Sequence, residues 1–422
     1  MSIEAAYKRT LDNGLTVLVD PVPHVQTAAL GVWISAGSRI ETEPTLGISH
    51  LLEHMAFKGT RRRSARAIVE EIESAGGFLN AYTGREQTVY HARVLQNDVP
   101  LAIDILGDIL TASTFDPDEL VREKDVIVQE IGQCADNPED LIFDLLQAAA
   151  FADQPLGRPI LGTAQSVGAI GREALIEHVA RHYTGPRMCV AVSGAVDAER
   201  VADNIEAALG QQPRGEAPTL EEGAFTARSD RQERELEQAH VALVFPAAGL
   251  DDEDYDTLQV LNEVYGGGMS SRLFQAVRED RGLCYSIYSF YSAYADIGTF
   301  GFYAGTSADD LGEIVPVSIG ELEALANAAE EGEVARARAQ VKSMVLMGLE
   351  SLHSRCEWMA RQFERKGRVL SADEVIARID TVSVADVRRV AGALLANGPP
   401  ALSALGPIGR LEDDATFRSR FG

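Results

Sequence analysis

Two stretches far apart in the chain decide the fold: Ala28-Ala-Leu-Gly-Val-Trp-Ile-Ser-Ala36 and Val241-Ala-Leu-Val-Phe-Pro246. Both are short apolar runs with β-branched and aromatic residues, and both read as buried strands. Ala29 and Leu30 fall opposite Ala242 and Leu243, an offset of 213. The strand-like Met188–Ser193 ends at Gly194, and the strand-like Ala401–Leu405 ends at Gly406, an offset of 212. Two distant signals at nearly one offset indicate an internal duplication.

Working outward, Leu15–Asp20 reads as a further strand, and Leu79–Thr83 and Thr88–Val94 as two strands around a turn. Ala65–Ala75 and Asp118–Ala135 read as helices, the second opened by Asp116-Pro117. Leu175–His182 and Val387–Leu395 are helices that precede the closing strand of each half. Gly210–Gly223, rich in Gly, Pro and charge, reads as a linker. The expectation is an α+β chain of two homologous mixed-sheet domains with packed helices, at 1–210 and 231–422, joined by a linker at 211–230.

The 422 residues are too many for one ordinary core, which agrees with two domains. A formal net charge of -26 argues against nucleic acid and against anionic membrane surfaces as partners. No run of 18 apolar residues predicts a membrane span, and the N-terminal MSIEAAYKRTLDNGLTVLV has no signal-peptide pattern. Cytoplasm is the expected location. Cys134, Cys189, Cys284 and Cys356 are scattered without C-x-x-C spacing, so they read as thiols rather than a disulfide framework or a sulfur metal site.

The chemistry is concentrated in Gly47-Ile-Ser-His-Leu-Leu-Glu-His-Met55. His50 and His54 are four apart on a predicted helix, so one stands above the other on a single face and both can reach one tetrahedral ion. Glu53 lies beside them, placed to take a proton from a water at the open coordination position and pass it to a leaving amine. The spacing H-x-x-E-H is the inverzincin signature. With eight histidines in the chain, a chance match is on the order of one in a hundred. A catalytic zinc needs a third protein ligand. Glu123 and Glu130, seven apart on one face of the predicted helix Asp118–Ala135, are both candidates.

These residues, with the flanking LDNGLTVLV at Leu11–Val19 and VIVQEIGQ around Glu130, resemble the pitrilysin (M16) family of zinc metallopeptidases. The branch is the one that contains the mitochondrial processing peptidase and its bacterial relatives. The resemblance covers nearly the whole chain. The 76 positions from His54 to Glu130 match the family's spacing, which selects Glu130 as the third ligand and puts Glu123 on a second glutamate that supports activity without binding metal.

The resemblance implies more. Gly76–Thr83 is similar to the family's substrate-binding edge strand, which implies Asn80 and Ala81 as substrate contacts; an edge strand has free N–H and C=O groups that pair with an extended peptide. In the second half there is no H-x-x-E-H. The segment Gly266–Ser286 instead resembles the family's C-terminal contribution, which implies Arg278 and Tyr285 as catalytic groups and Phe274 as a substrate contact. Tyr285 could stabilise an oxyanion and Arg278 a substrate carbonyl. The glycine run there lacks the G-x-x-x-x-G-K-[ST] spacing and is no phosphate loop.

The implied function is a zinc endopeptidase, one Zn2+ per chain, acting on short or unfolded peptides. It would work as a homodimer or heterodimer with a related subunit, each chain forming half of a clamshell-like chamber. The rival is a non-catalytic partner or peptide-binding subunit. Arg61-Arg62-Arg63 reads as a solvated basic loop, and the i, i+4 pair His178 and His182 as structural.

Overall fold

The apolar AALGVWI stretch forms the central strand of a six-stranded sheet. That sheet contains β1 (Tyr7–Thr10), β2 (Thr16–Pro21), β3 (Thr27–Ile34), β4 (Phe78–Thr83), β5 (Thr88–Leu95) and β6 (Met188–Gly194), in the order β1-β2-β6-β3-β5-β4. A five-stranded sheet holds β7 (Ser229–Glu233), β8 (Ala239–Ala247), β9 (Cys284–Ala293), β10 (Gly298–Thr306) and β11 (Ala401–Gly406), in the order β7-β11-β8-β10-β9. The computed structural model describes residues 6–216 and 219–421, so Ala217 and Pro218 of the expected linker, and Met1–Ala5 of the N-terminal stretch, lie outside the described residues. No described helix is long and apolar enough to cross a membrane.

The two sheets repeat one plan. In each, a parallel pair (β2 with β6, β7 with β11) is followed by antiparallel neighbours (β3 then β5 then β4; β8 then β10 then β9). The α+β duplication is therefore present in the fold, but the residue matching needs a correction. Ala28 pairs with Gly194. In the second sheet Leu405 pairs with His240, so Gly406 stands level with Ala239. Ala28 thus corresponds to Ala239, two residues from the register implied by aligning Ala29 with Ala242. A two-residue slip keeps every side chain on its face, so the apolar pattern cannot detect it. The glycines carry the true register. Gly194 and Gly406 both have positive φ (147° and 111°), and a Cβ would lie 2.4 Å from the carbonyl oxygen of Thr27 at the first and 2.5 Å from that of Gln238, just ahead of β8, at the second.

The chain divides into two compact units that are not contiguous in sequence: 1–133, 158–221 and 346–372 form one, and 134–157, 222–345 and 373–422 the other. They differ from the expected 1–210 and 231–422 by an exchange of helices. In the first unit one sheet face (Val17, Val19, Leu30, Val32, Val190, Val192) is buried with Ile48, Leu51, Ile103, Leu106 and Ile205 in one core. The helix Leu352–Lys366 packs on β2, β3 and β6. It lies on the other face, because its Arg355 meets Asp20 and its Cys356 thiol donates to the carbonyl of Ala29 at 3.2 Å. In the second unit, Pro138–Ala150 packs on β7, β8 and β11, with Ile142, Leu146 and Ala149 among Ala242, Val244 and Ala401. Each sheet is thus covered by a helix from the other half of the sequence.

Of Arg61–Arg63, expected as a solvated basic loop, Arg61 and Arg62 are exposed but Arg63 is not. Arg63 is 10% exposed and donates to Glu71, Asp104 and Asp108 at 2.6–2.8 Å, tying together the helices Ala65–Ser74 and Val99–Thr111. None of the four cysteines forms a disulfide.

Candidate metal centre

The helix that carries the motif, Ile48–Ala56, is placed by its apolar stripe. Ile48, Leu51, Leu52 and Met55 recur at i, i+3, i+4 and i+7 and are buried. His50, Glu53 and His54 are then left on the opposite side. The helix has no side-chain cap at its own N-cap, Gly47. Its orphan donors go instead to Glu41, whose carboxylate accepts from the N–H of Gly47 at 2.7 Å and of Ser49 at 2.9 Å. Glu41 is buried, and burial pushes its carboxyl up to about 7 while those two N–H bonds pull the other way. Gly47 sits at φ 88°, where a Cβ would lie 2.8 Å from the carbonyl oxygen of Leu161, so glycine is required there.

The helix Pro117–Asp136 brings the acids. Leu120, Glu123, Ile127 and Glu130 lie along its inner stripe at 3–4 residue spacing, and Glu123 is buried. The Oε2 of Glu130 is 3.8 Å from the Nε2 of His50 and 3.6 Å from the Nε2 of His54. Ligand atoms of His50, His54 and Glu130 all lie within 4.8 Å of one another, the only such group among the described residues. A tetrahedral zinc with bonds near 2.0–2.1 Å separates its ligands by about 3.3 Å. The three side chains therefore fit that ion with small adjustments.

The second glutamate sits behind the first ring. Glu123 Oε2 is 3.0 Å from the Nδ1 of His54, and its Oε1 is 2.6 Å from the ammonium of Lys58. A carboxylate paired with lysine can only accept, so Nδ1 of His54 carries the proton and Nε2 keeps its lone pair for a metal. The two glutamates left open by spacing are thus separated by geometry: one faces the Nε2 atoms, and the other orients a ring from behind. Burial and the neighbouring His54 lower the pKa of His50 to about 4, leaving a neutral imidazole at neutral pH. Glu53 is half-buried, and burial raises its carboxyl above the ordinary range. The hydroxyl of Thr83 donates to its Oε2 at 2.6 Å.

Among the described residues the strand β4 pairs with β5 alone and is the edge of its sheet. Asn80 is exposed, and its Oδ1 accepts from the N–H of Ala81 at 2.9 Å. The Ala81 side chain is buried. In the second unit Phe274, Arg278 and Tyr285 form one group. The Arg278 guanidinium lies 4.7 Å from the Phe274 ring and 4.9 Å from the Tyr285 ring, and Tyr285 is 79% exposed. Cation–π contacts with both rings restrain that guanidinium.

Sequence reasoning missed Glu41, Lys58 and Thr83. For Glu41 one signal existed: a predicted helix start with no Ser, Thr, Asp or Asn cap, and an acid a few residues ahead. Nothing marks Thr83 among ordinary strand threonines.

Residues 16–164 match the family model described as Insulinase (Peptidase family M16), and residues 169–341 that described as Peptidase M16 inactive domain. An uncharacterized zinc protease of Streptomyces coelicolor is 38% identical, covering 95% of this chain and 89% of that protein. A probable mitochondrial-processing peptidase subunit beta of Arabidopsis thaliana is 40% identical, over 97% of this chain and 80% of that protein. Among solved structures, a protease from Helicobacter pylori shares the fold with a TM-score of 0.87 at 19% identity, covering 95% of this chain and 99% of that one. A chain of complex III from Candida albicans does so with a TM-score of 0.86 at 24% identity, covering 98% and 99%. With both domain models matched and relatives this similar along nearly their whole length, the chain belongs to peptidase family M16.

Proposed function

We propose that this chain is a zinc-dependent endopeptidase that hydrolyses short or unfolded peptides. The observation that carries the reading is the convergence of His50, His54 and Glu130 on one point, with His54 oriented from behind by Glu123. Zinc bound there would supply Lewis acidity, polarising a carbonyl and acidifying a water. Glu53, next to the ligands and less acidic than an exposed carboxylate, takes the water's proton and delivers it to the leaving amine. The free edge of β4, with Asn80 and the backbone of Ala81, aligns an extended peptide by strand addition. Arg278 and Tyr285 bind the substrate's polar groups, with Phe274 as a flanking apolar surface. The relative named as a beta subunit supports association with a second related chain.

The rival, a non-catalytic partner subunit, draws on the complex III neighbour and on the inactive-domain match of residues 169–341. The intact H-x-x-E-H weighs against it. One experiment separates the two. Zinc is counted on purified protein, and cleavage of a mixed peptide library is followed with and without a chelator. One zinc per chain, cleavage abolished by chelation and restored by added zinc are expected. Protein that neither holds zinc nor cleaves would favour the partner reading.

Glu123 acts on the metal through His54, so Glu123→Ala should weaken zinc binding roughly 10–100-fold. Competition against a chromophoric chelator measures this, and an unchanged zinc affinity would remove Glu123 from the centre.

A further inference from the structure

We infer that Thr83 is a positioning residue: from the last position of the edge strand it fixes the carboxylate of Glu53. The role rests on Glu53 being the general base. The hydroxyl of Thr83 lies 2.6 Å from Glu53 Oε2. Its other neighbour is the hydroxyl of Thr88, directly across the strand pair, at 3.5 Å. Thr88 has its own proton committed to the carbonyl of Ala36 at 2.8 Å. The Thr83 proton therefore goes to Glu53, and an ionised carboxylate can receive it there. With Oε2 held, one oxygen of Glu53 is left for the proton it must abstract.

Thr83 is itself held rigidly. It pairs with β5 on one side, and the turn that follows is strapped down by the loop 37–39. The N–H groups of Ser38 and Arg39 donate to the carbonyls of Gly84 and Arg85 at 3.2 and 2.7 Å, and the buried Arg39 side chain pairs with Glu86 at 2.6 Å. A hydroxyl on a fixed backbone holds its partner in one rotamer, and catalytic geometry tolerates little displacement. The same strand presents the free edge on which a peptide would lie. The register of the peptide and the orientation of the base are thus set by one element.

The test uses the zinc-loaded chain and a defined peptide. Thr83→Val keeps the shape of the side chain and removes the donor; Thr83→Ser keeps the donor. A hydrogen bond to a charged group suggests a loss in kcat of roughly 10–100-fold for Thr83→Val. KM should stay within about twofold and zinc content should be unchanged, with Thr83→Ser close to the parent. The bond is also read without turnover. In zinc-free protein, Thr83→Val and Glu53→Ala, which removes the acceptor, should shift the urea midpoint non-additively. Full kcat in Thr83→Val beside an inactive Glu53→Gln would overturn the role of Thr83 alone, as would additive midpoint shifts. Full activity in Glu53→Gln would remove the base itself. Loss of zinc or a parallel fall in Thr83→Ser would mark Thr83 as merely structural.

Discussion

Glu53→Gln is expected to retain the fold and one zinc per chain and to lose peptide cleavage by roughly 10²–10⁴-fold in kcat, the range for removal of a general base. Glutamine matches glutamate in shape, and its amide oxygen can still accept the Thr83 proton, so the surroundings keep their contacts. It lacks only the ability to take a proton. The effect is large because the two other acids of the centre are engaged: Glu130 faces the two Nε2 atoms, and Glu123 is occupied by His54 and Lys58. His50→Ala makes the contrasting case. It deletes one of the three proposed ligands, so zinc and activity should go together. Zinc counting beside kinetics therefore tells the roles apart. Full activity in Glu53→Gln removes Glu53 as base, and loss of its zinc would make Glu53 a ligand.

The ligand helix was legible because its geometry is local. Residues at i, i+3 and i+4 share a face on any α-helix, so His50, Glu53 and His54 converge whatever the rest of the chain does. The choice between Glu123 and Glu130 was not legible from spacing. Seven residues rise about 10 Å along the axis, so only one can reach the Nε2 side while the other meets the back of a ring. Which does which depends on where the helix Pro117–Asp136 docks, and only the resemblance supplied that before the structure did. Thr83 was invisible for another reason: its group is a plain hydroxyl whose importance comes from one neighbour thirty positions away.

The duplicated plan of the sheets was legible in Gly194 and Gly406, since a strand end pressed against a neighbour's backbone admits no Cβ. Helix partnership was not. An amphipathic pattern says that a helix covers something apolar without saying which sheet. Leu352–Lys366 and Pro138–Ala150 could each have covered the sheet of their own half.

That exchange makes the second large prediction: residues 1–210 expressed alone should show no cooperative thermal transition. They contain all six strands of the first sheet but not the helix that covers one of its faces. On that face Leu18, Ala29 and Ala191, each no more than 1% exposed in the whole chain, would lose the cover of the helix Leu352–Lys366. The face would also carry a stranded charge. Asp20 is 6% exposed and receives both Nε and Nη2 of Arg355, at 2.6 and 3.1 Å, with the hydroxyl of Ser193 at 2.7 Å. Arg355 in turn donates through Nη1 to the carbonyl of Leu349 at 2.9 Å. Removing one partner of a buried pair costs about 3–5 kcal/mol, because the other is left charged and dry. Arg355→Met in the complete chain keeps the helix and much of its packing, so it isolates that cost. It should lower stability to urea by about that amount. Asp20→Asn together with Arg355→Met should recover part of the loss, since no unpaired charge is left buried. A cooperative melt from residues 1–210, or a near-neutral Arg355→Met, would mean that the exchanged helix merely rests on the sheet and that each half of the sequence folds on its own.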